Sequence, residues 1–219
     1  MGFQIAIDGP SGAGKSTIAK LVAKERGAIY VDTGAMYRAL AIFFIDNGID
    51  GDDKNLVANK VKSANVELKY IDGVQKVILN GEDVTARLRK EEVGNMASKT
   101  SSVPEVRKAL LELQRDMAKK NDVVMDGRDI GTMVLPNADL KIFLTASSDV
   151  RAKRRYDELV EKGETPDFDS IKADIEERDY RDSHREIAPL KKADDAIEID
   201  SSNMSIEEVV DEIVKAIKE

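Results

Sequence analysis

An α/β fold built on a five-stranded parallel sheet flanked by helices is the class that the sequence predicts, and three observations predict it. Short apolar runs alternate with amphipathic helical patterns along most of the 219 residues, which is the rhythm of β-α units. The first run, Phe3 to Asp8, opens onto a glycine-rich loop and then a helix starting near Lys15. At roughly 60–86 the rhythm breaks: Asp72-Gly73 and Asn80-Gly81 separate β-rich runs, the pattern of a small antiparallel meander inserted into the core.

Phe3, Ile5 and Ile7 mark a buried first strand. After it, Gly9-Pro10-Ser11-Gly12-Ala13-Gly14-Lys15-Ser16, followed by Thr17, has the form G-x-x-x-x-G-K-[ST], a P-loop. Glycines let the backbone approach a ligand closely, successive N–H groups then face phosphate oxygens, and the next helix adds partial positive charge. Lys15 is placed to reach the β- and γ-phosphates of a nucleoside triphosphate, and the Ser16 hydroxyl to ligate Mg²⁺. Ile18, Leu21 and Val22 give the helix its apolar stripe and Gly27 its C-cap. Ala28 to Val31 reads as a second strand, and Asp32-Thr33 as the cap of a helix carrying Met36, Leu40 and Phe43. Arg38 lies near the start of that helix, where a surface role and a ligand role are equally open.

A helix is expected over about 53–64, then the meander of Val66, Leu68, Tyr70, Val74, Val77, Leu79 and Val84, which reads either as a flap or as a cover for an acceptor. Thr85 to Ser98 reads as one helix capped by Thr85. Pro104 opens the next, where its missing N–H costs nothing. Arg107 in its first turn runs against the helix dipole, which hints at a ligand, although an ordinary surface arginine fits the same place. Val123 to Asp126 is a buried strand ending in a carboxylate, the weak Walker B form. The turn Gly127-Arg128-Asp129-Ile130-Gly131-Thr132 follows it, where open parallel sheets place ligands. Leu140 to Ala146 is the next strand. Ser147-Ser148-Asp149 caps a helix that opens with Arg151, Lys153, Arg154 and Arg155, either a solvated face or a lid over phosphates. Asp169 is the expected cap of a helix carrying Arg178, Asp182 and Arg185 at i, i+4 and i+7. His184 reads as a polar surface residue. Ala196 to Ile199 is the last strand, and Ser205-x-x-Glu208 is a capping box before the final helix.

Composition narrows the function classes. Apolar residues make up 42% and charged residues 35%, as in a folded soluble chain. A net charge of −8 argues against nucleic-acid or membrane binding by the whole surface. The chain has no cysteine, which rules out disulfides and thiolate metal sites. No apolar stretch approaches the length of a membrane span, and no signal-peptide pattern precedes the first strand, so a cytoplasmic protein, monomeric by default, is expected. The guanine-reading Asn-Lys-x-Asp of GTPases is missing, since Asn59-Lys60 runs on to Val61-Lys62. A small P-loop chain with many arginines outside the loop suits phosphoryl transfer to a small anionic acceptor, because the planar guanidinium binds phosphate oxygens in pairs. Kinases with other nucleoside monophosphate or sugar-type acceptors, and a nucleotide-gated binding protein without turnover, are the competing readings.

Four motifs then resemble the bacterial-type cytidylate kinase family: Ile5 to Thr17, Asp32-Thr-Gly-Ala-Met-Tyr-Arg38, Gly127 to Thr132, and Glu177-Arg-Asp-x-Arg-Asp-x-x-Arg185-x-x-Ala-Pro-Leu190. They stand in the family's order and span nearly the whole chain. The resemblance implies one P-loop kinase domain over 1–219, with the meander at roughly 60–86 inside a CMP-binding subdomain and a helical lid at roughly 148–166. It implies phosphoryl transfer from ATP, with Mg²⁺, to CMP and dCMP. By motif position, Gly9 to Thr17 would bind ATP. Thr33, Arg38, Arg128 and Arg185 would surround the acceptor phosphate, Arg178 and Asp182 would lie on the ribose side, and Ser98, Arg107 and Asp129 would read cytosine. Lys15, Arg128, Arg151, Arg154 and Arg155 would serve catalysis, the last three as the closing lid. Ser16 would hold Mg²⁺, with Asp8 or Asp126 behind it through water. Where the family often has Ser, this chain has Thr33, which keeps the hydroxyl. The chemistry of cytosine agrees: its exocyclic amine suits an accepting Asp and its O2 or N3 a donating Arg, a polarity that uracil reverses at two positions.

Overall fold

The computed structural model describes residues 2–71 and 74–218. Two compact units share the chain, one made of Val31–Asn121 and the other of Phe3–Tyr30 with Asp122–Glu219.

The second unit holds the P-loop. Its sheet has the order β2-β6-β1-β7-β8, from β1 (Gln4–Asp8), β2 (Ile29–Asp32), β6 (Val123–Gly127), β7 (Leu140–Thr145) and β8 (Ile197–Asp200). The chain leaves this unit inside β2, after Tyr30. β1 pairs in parallel with β6 on one side and β7 on the other, and β7 with β8. Central parallel strands are covered on both faces and so read as continuous apolar runs. Ile5, Ile7, Val124, Ile142 and Leu144 accordingly form one core with Ile18 and Val22 of α1 (Lys15–Arg26) and Val209 and Ile213 of α8 (Ile206–Lys218). Gly27 closes α1 in the left-handed conformation. At the start of α8, Ser205 Oγ accepts from the Glu208 N–H at 3.2 Å while Glu208 Oε2 accepts from the Ser205 N–H at 2.7 Å, both halves of the expected capping box. Between β7 and β8 run α6 (Ser148–Glu161), capped by Ser147, and α7 (Phe168–His184). The cap of α7 is Asp167, not Asp169: its Oδ1 accepts from the Ser170 N–H at 2.8 Å. Asp169 lies in the first turn, where its charge favours the helix dipole. His184 is exposed and stacks on Tyr180.

In the first unit, α2 (Thr33–Asp46) is capped by Asp32, which accepts from the Ala35 N–H at 2.8 Å. The helix expected over about 53–64 is α3 (Lys54–Lys60) followed by a 3₁₀ turn at Val61–Ser63, whose tighter bonds use the last carbonyls before the strand begins. The meander is present as β3 (Val66–Ile71), β4 (Val74–Leu79) and β5 (Glu82–Asp83), in that order and antiparallel. Asn80 and Gly81 turn with φ of 49° and 90°, the left-handed pair that a tight hairpin requires. The Asp72-Gly73 turn lies outside the described residues. The single helix expected from Thr85 does not form. The Thr85 hydroxyl accepts from the Val77 N–H at 2.9 Å, so it belongs to the sheet and cannot cap. A 3₁₀ turn at Thr85–Arg87 is followed by α4 (Glu91–Thr100) and α5 (Pro104–Lys120), with Pro104 at the first turn as expected.

Gly9 has φ 150°, and a Cβ there would lie 1.9 Å from the Leu144 carbonyl oxygen. No rotamer relieves a clash with the backbone of a central strand. Gly9→Ala should therefore destabilise the protein by about 3 kcal/mol or more, read as a lower urea midpoint at unchanged m-value. An unchanged midpoint would refute this packing of β1 against β7.

Candidate active site

In the P-loop unit the carboxyl ends of β1 and β6 lie side by side, with Ile7 opposite Asp126 and Asp8 opposite Gly127. The loop that leaves β1 turns through Gly12 and Gly14 at φ 79° and 89° and delivers Lys15 to the start of α1. Lys15 is buried, and its Nζ donates to the Pro10 carbonyl at 2.7 Å. Burial, and next the charge of Arg128, hold its ammonium well below the ordinary lysine range. Ser16 Oγ donates to Asp126 Oδ2 at 2.9 Å, and Tyr30 Oη donates to Asp126 Oδ1 at 2.9 Å. Hydroxyl and carboxylate oxygens side by side are a hard donor set that suits Mg²⁺, which keeps several waters and takes only one or two protein oxygens.

Asp8 is buried and faces elsewhere. Its Oδ1 accepts from the Ile130 N–H at 2.8 Å and its Oδ2 from the Gly131 N–H at 2.7 Å. Burial pushes its carboxyl from 3.8 up to about 6, against the pull of those two hydrogen bonds.

Four arginines of this unit form two sets. Arg128 Nε donates to Asp182 Oδ2 at 2.9 Å, and Arg185 lies 3.6 Å from Asp129 Oδ1 while its Nε donates to the Ala188 carbonyl at 2.6 Å. α7 ends at His184, so Arg185 joins this set from the cap position and not from the helix face. Burial alone would raise the Asp182 carboxyl, but Arg128, Arg178 and Arg185 together bring it below the usual range. The second set braces the loop. Arg151 donates to the Ala146 carbonyl at 2.8 Å and the Ser11 carbonyl at 3.1 Å, and pairs with Asp179 at 2.6 Å. Arg154 donates to the Ser201 carbonyl at 2.8 Å beside Gly14. Arg155 turns away into a half-exposed pair with Glu158 at 2.9 Å.

In the unit of Val31–Asn121, Arg38 forms an ion pair with Asp32 at 3.1 Å, and its Nε is buried without a hydrogen-bond partner among the described residues. Gly34 makes room, since a Cβ there would come within 3.1 Å of the Arg38 guanidinium. Thr33 is buried. Arg107 lies over the Tyr37 ring at 5.6 Å and donates to the Ser101 carbonyl at 3.3 Å. The Ser98 hydroxyl is buried and also lacks a partner among the described residues. Buried polar atoms left unsatisfied are costly, and a ligand that completes them removes the cost.

Sequence reasoning missed Tyr30, read only as part of a strand, and the second use of Asp32, read only as a cap. It also missed Asp179 and Ser201 as holders of Arg151 and Arg154. No spacing rule signals contacts of this kind.

A model of the family described as cytidylate kinase matches residues 5–219. The chain belongs to the cytidylate kinase family. It is 52% identical over 216 residues to a cytidylate kinase of Lactobacillus johnsonii, covering 99% of this chain and 94% of the relative. It is 51% identical over 217 residues to one of Geobacillus sp., covering 99% and 97%. Among solved structures, an uncharacterized protein from Eubacterium ventriosum superposes with a TM-score of 0.55 at 15% identity, over 100% of this chain and 99% of the other. A gluconokinase from Sinorhizobium meliloti superposes with 0.51 at 16% identity, over 99% and 91%. These two likenesses concern the fold. The family relationship makes the chain a phosphotransferase with cytidylate kinase function, using ATP as donor. No described helix is long and apolar enough to cross a membrane.

The raised carboxyl of Asp8 carries a pH signature. A folded-state pKa above the unfolded value contributes stability that is complete below about pH 4 and is lost as pH rises through about 6. Between those limits the wild-type protein should lose roughly 3 kcal/mol of unfolding free energy relative to Asp8→Asn. Urea titrations at several pH values measure it, and a difference that does not vary with pH would contradict the burial of a charged Asp8.

Proposed function

We propose that the chain transfers the γ-phosphoryl group of Mg-ATP to CMP and to dCMP, giving CDP or dCDP and ADP, and that the residues named above divide the work. The observation that carries this reading is the buried Lys15 at the end of the glycine loop, next to the Ser16–Asp126 pair. Lys15 is held below its ordinary range by burial and by the charges of Arg128 and Arg178, a strain that a polyphosphate would relieve.

The backbone of Gly9, Pro10, Ser11, Gly12, Ala13 and Gly14, with Lys15, Ser16 and Thr17, cradles the phosphates of ATP. Ser16 and Asp126 would hold Mg²⁺, which when bound supplies charge neutralisation at the β- and γ-phosphates. Asp126 bonds the Ser16 hydroxyl directly, whereas both Asp8 oxygens are spent on backbone N–H groups of the turn after β6, which favours Asp126 over Asp8 on the metal side. Thr33, Arg38, Arg128 and Arg185 serve the acceptor phosphate, Arg178 and Asp182 the ribose, and Ser98, Arg107 and Asp129 the cytosine. The Ser98 hydroxyl and Arg38 Nε, without partners among the described residues, support their share of this assignment. Arg151, Arg154 and Arg155 serve the transferring phosphoryl group from the segment at roughly 148–166, which acts as a lid and excludes water. The nucleophile is already an ionised phosphate oxygen, so no strong general base is required, and positioning with charge stabilisation carries the rate. The protein works as a cytoplasmic monomer on small nucleotides, a reading that its net charge of −8 favours over nucleic-acid binding.

Lys15→Ala should lower kcat for CMP phosphorylation by at least about a hundredfold while the circular dichroism spectrum stays that of the wild type. A normal kcat would remove Lys15 from the chemistry. Asp129→Ala should lower the CMP-to-UMP ratio of kcat/KM by about tenfold or more with ATP affinity retained. An unchanged ratio in steady-state kinetics would refute the cytosine-reading role.

A further inference from the structure

We propose that Asp8 is a positioning residue for acceptor specificity, tying the end of the P-loop strand to the backbone of the Gly127–Thr132 turn and so setting where Arg128 and Asp129 stand. The inference rests on the reading of Arg128 and Asp129 as acceptor-side groups.

The geometry is that of a helix cap supplied by a distant strand. After Asp129 the chain makes one wide helical turn, Ile130–Val134, in which the Met133 and Val134 N–H groups return to the Asp129 carbonyl at 2.9 and 3.3 Å and the Leu135 N–H to the Ile130 carbonyl at 2.7 Å. The first N–H groups of such a turn have no partner within it. An aspartate at the cap position would ordinarily take them with its own side chain. Here the cap residue is Asp129, and its side chain makes no cap bond. Asp8 does the capping instead, one oxygen to the Ile130 N–H and the other to the Gly131 N–H, at 2.8 and 2.7 Å across 122 and 123 residues of sequence. The Asp129 carboxylate turns to the Arg185 guanidinium.

Three features make Asp8 the residue that sets the turn. It is the last residue of β1, opposite Gly127 of β6, so its side chain starts from a central strand that cannot shift without the sheet. It is 5% exposed, so water does not compete for its oxygens. Gly131 leaves little spare room beside the contact, since a Cβ there would touch Asp8 Oδ2 at 3.4 Å and crowd Lys141 Cδ at 3.1 Å. Asp8 also precedes Gly9 directly, so one side chain links the start of the phosphate loop to the turn carrying Arg128 and Asp129.

The test uses Asp8→Asn, whose amide oxygen can accept only one of the two bonds while its NH₂ group opposes the other N–H, and Gly131→Val, which leaves Asp8 intact and adds methyl groups to a Cβ position already 3.4 Å from Asp8 Oδ2 and 3.1 Å from Lys141 Cδ. Both should raise KM for CMP and lower the CMP-to-UMP ratio of kcat/KM by about tenfold, while the ATP dissociation constant, measured by calorimetry, stays within about threefold. A merely structural role predicts instead that ATP affinity and the CMP parameters worsen by the same factor, and that result overturns the proposal. An unchanged CMP-to-UMP ratio in both variants overturns it as well. If Asp8→Asn fails to fold, Gly131→Val carries the test alone. Asp129→Ala run alongside separates the two claims. A fall in Asp129→Ala with none in the two positioning variants sinks the Asp8 proposal only. A fall in the positioning variants with none in Asp129→Ala removes the Asp129 reading and overturns the proposal with it, because Arg128 faces a phosphate that CMP and UMP share.

Discussion

The P-loop unit depends on satisfying buried charge at the carboxyl edge of its parallel sheet. Asp8, Asp126 and Lys15 are each about 5% exposed, and an isolated buried charge is among the costliest things a fold can hold. Each is resolved by a different neighbour. Asp126 is closed off by the hydroxyls of Ser16 and Tyr30, Lys15 by the Pro10 carbonyl, and Asp8 by two backbone N–H groups. Those solutions fix the start of α1, the course of the glycine loop and the turn after β6. Lys15 is left between Arg128 and Arg178, which press on its charge, and Asp126 and Asp8, which favour it. A buried ammonium at the end of a glycine loop whose backbone donors turn into one concavity suits a phosphate, and such preorganisation is what electrostatic catalysis requires.

The arginines show how the same side chain takes different work according to its partner. Arg128 and Arg185, each beside a buried carboxylate, are held in fixed orientations. Arg151 is committed to two backbone carbonyls and Asp179, and so shapes the loop as much as it supplies charge. Arg155, half exposed with Glu158, is held by little, because surface pairs of this kind contribute under about 1 kcal/mol. In the other unit, Arg38 is aimed by both oxygens of Asp32 and keeps one buried nitrogen without a partner among the described residues. A guanidinium oriented by a carboxylate and not wholly consumed by it is suited to gripping an anion in a defined geometry.

Much of the fold was legible because its signals are local. The apolar runs of Ile5, Ile7, Val123 and Val124 report buried parallel strands, Pro104 and Ser205-x-x-Glu208 report helix starts, and Asn80-Gly81 reports a hairpin. The P-loop was legible because its function lies in backbone conformation, which glycine spacing encodes directly. What failed was also physical. Thr85 looks like a helix cap until a strand N–H competes for its hydroxyl, and Asp169 looks like one until Asp167, two residues earlier, takes the role. Contacts across more than a hundred residues, such as Asp8 with Ile130 and Gly131, have no sequence signal at all. The part of the site made by spacing could be read in advance, and the part made by packing could not.

Acceptor choice should follow from the groups proposed to match cytosine and a single phosphate, whereas any triphosphate would satisfy the P-loop. Release of ADP by the wild-type protein, followed in a coupled assay with ATP and Mg²⁺ across CMP, dCMP, UMP, AMP and shikimate, measures that choice directly. The account predicts rapid turnover with CMP and dCMP, at least about tenfold higher kcat/KM than with UMP, and little ADP release without an acceptor. Comparable turnover with all five acceptors, or ADP release independent of any of them, would contradict it.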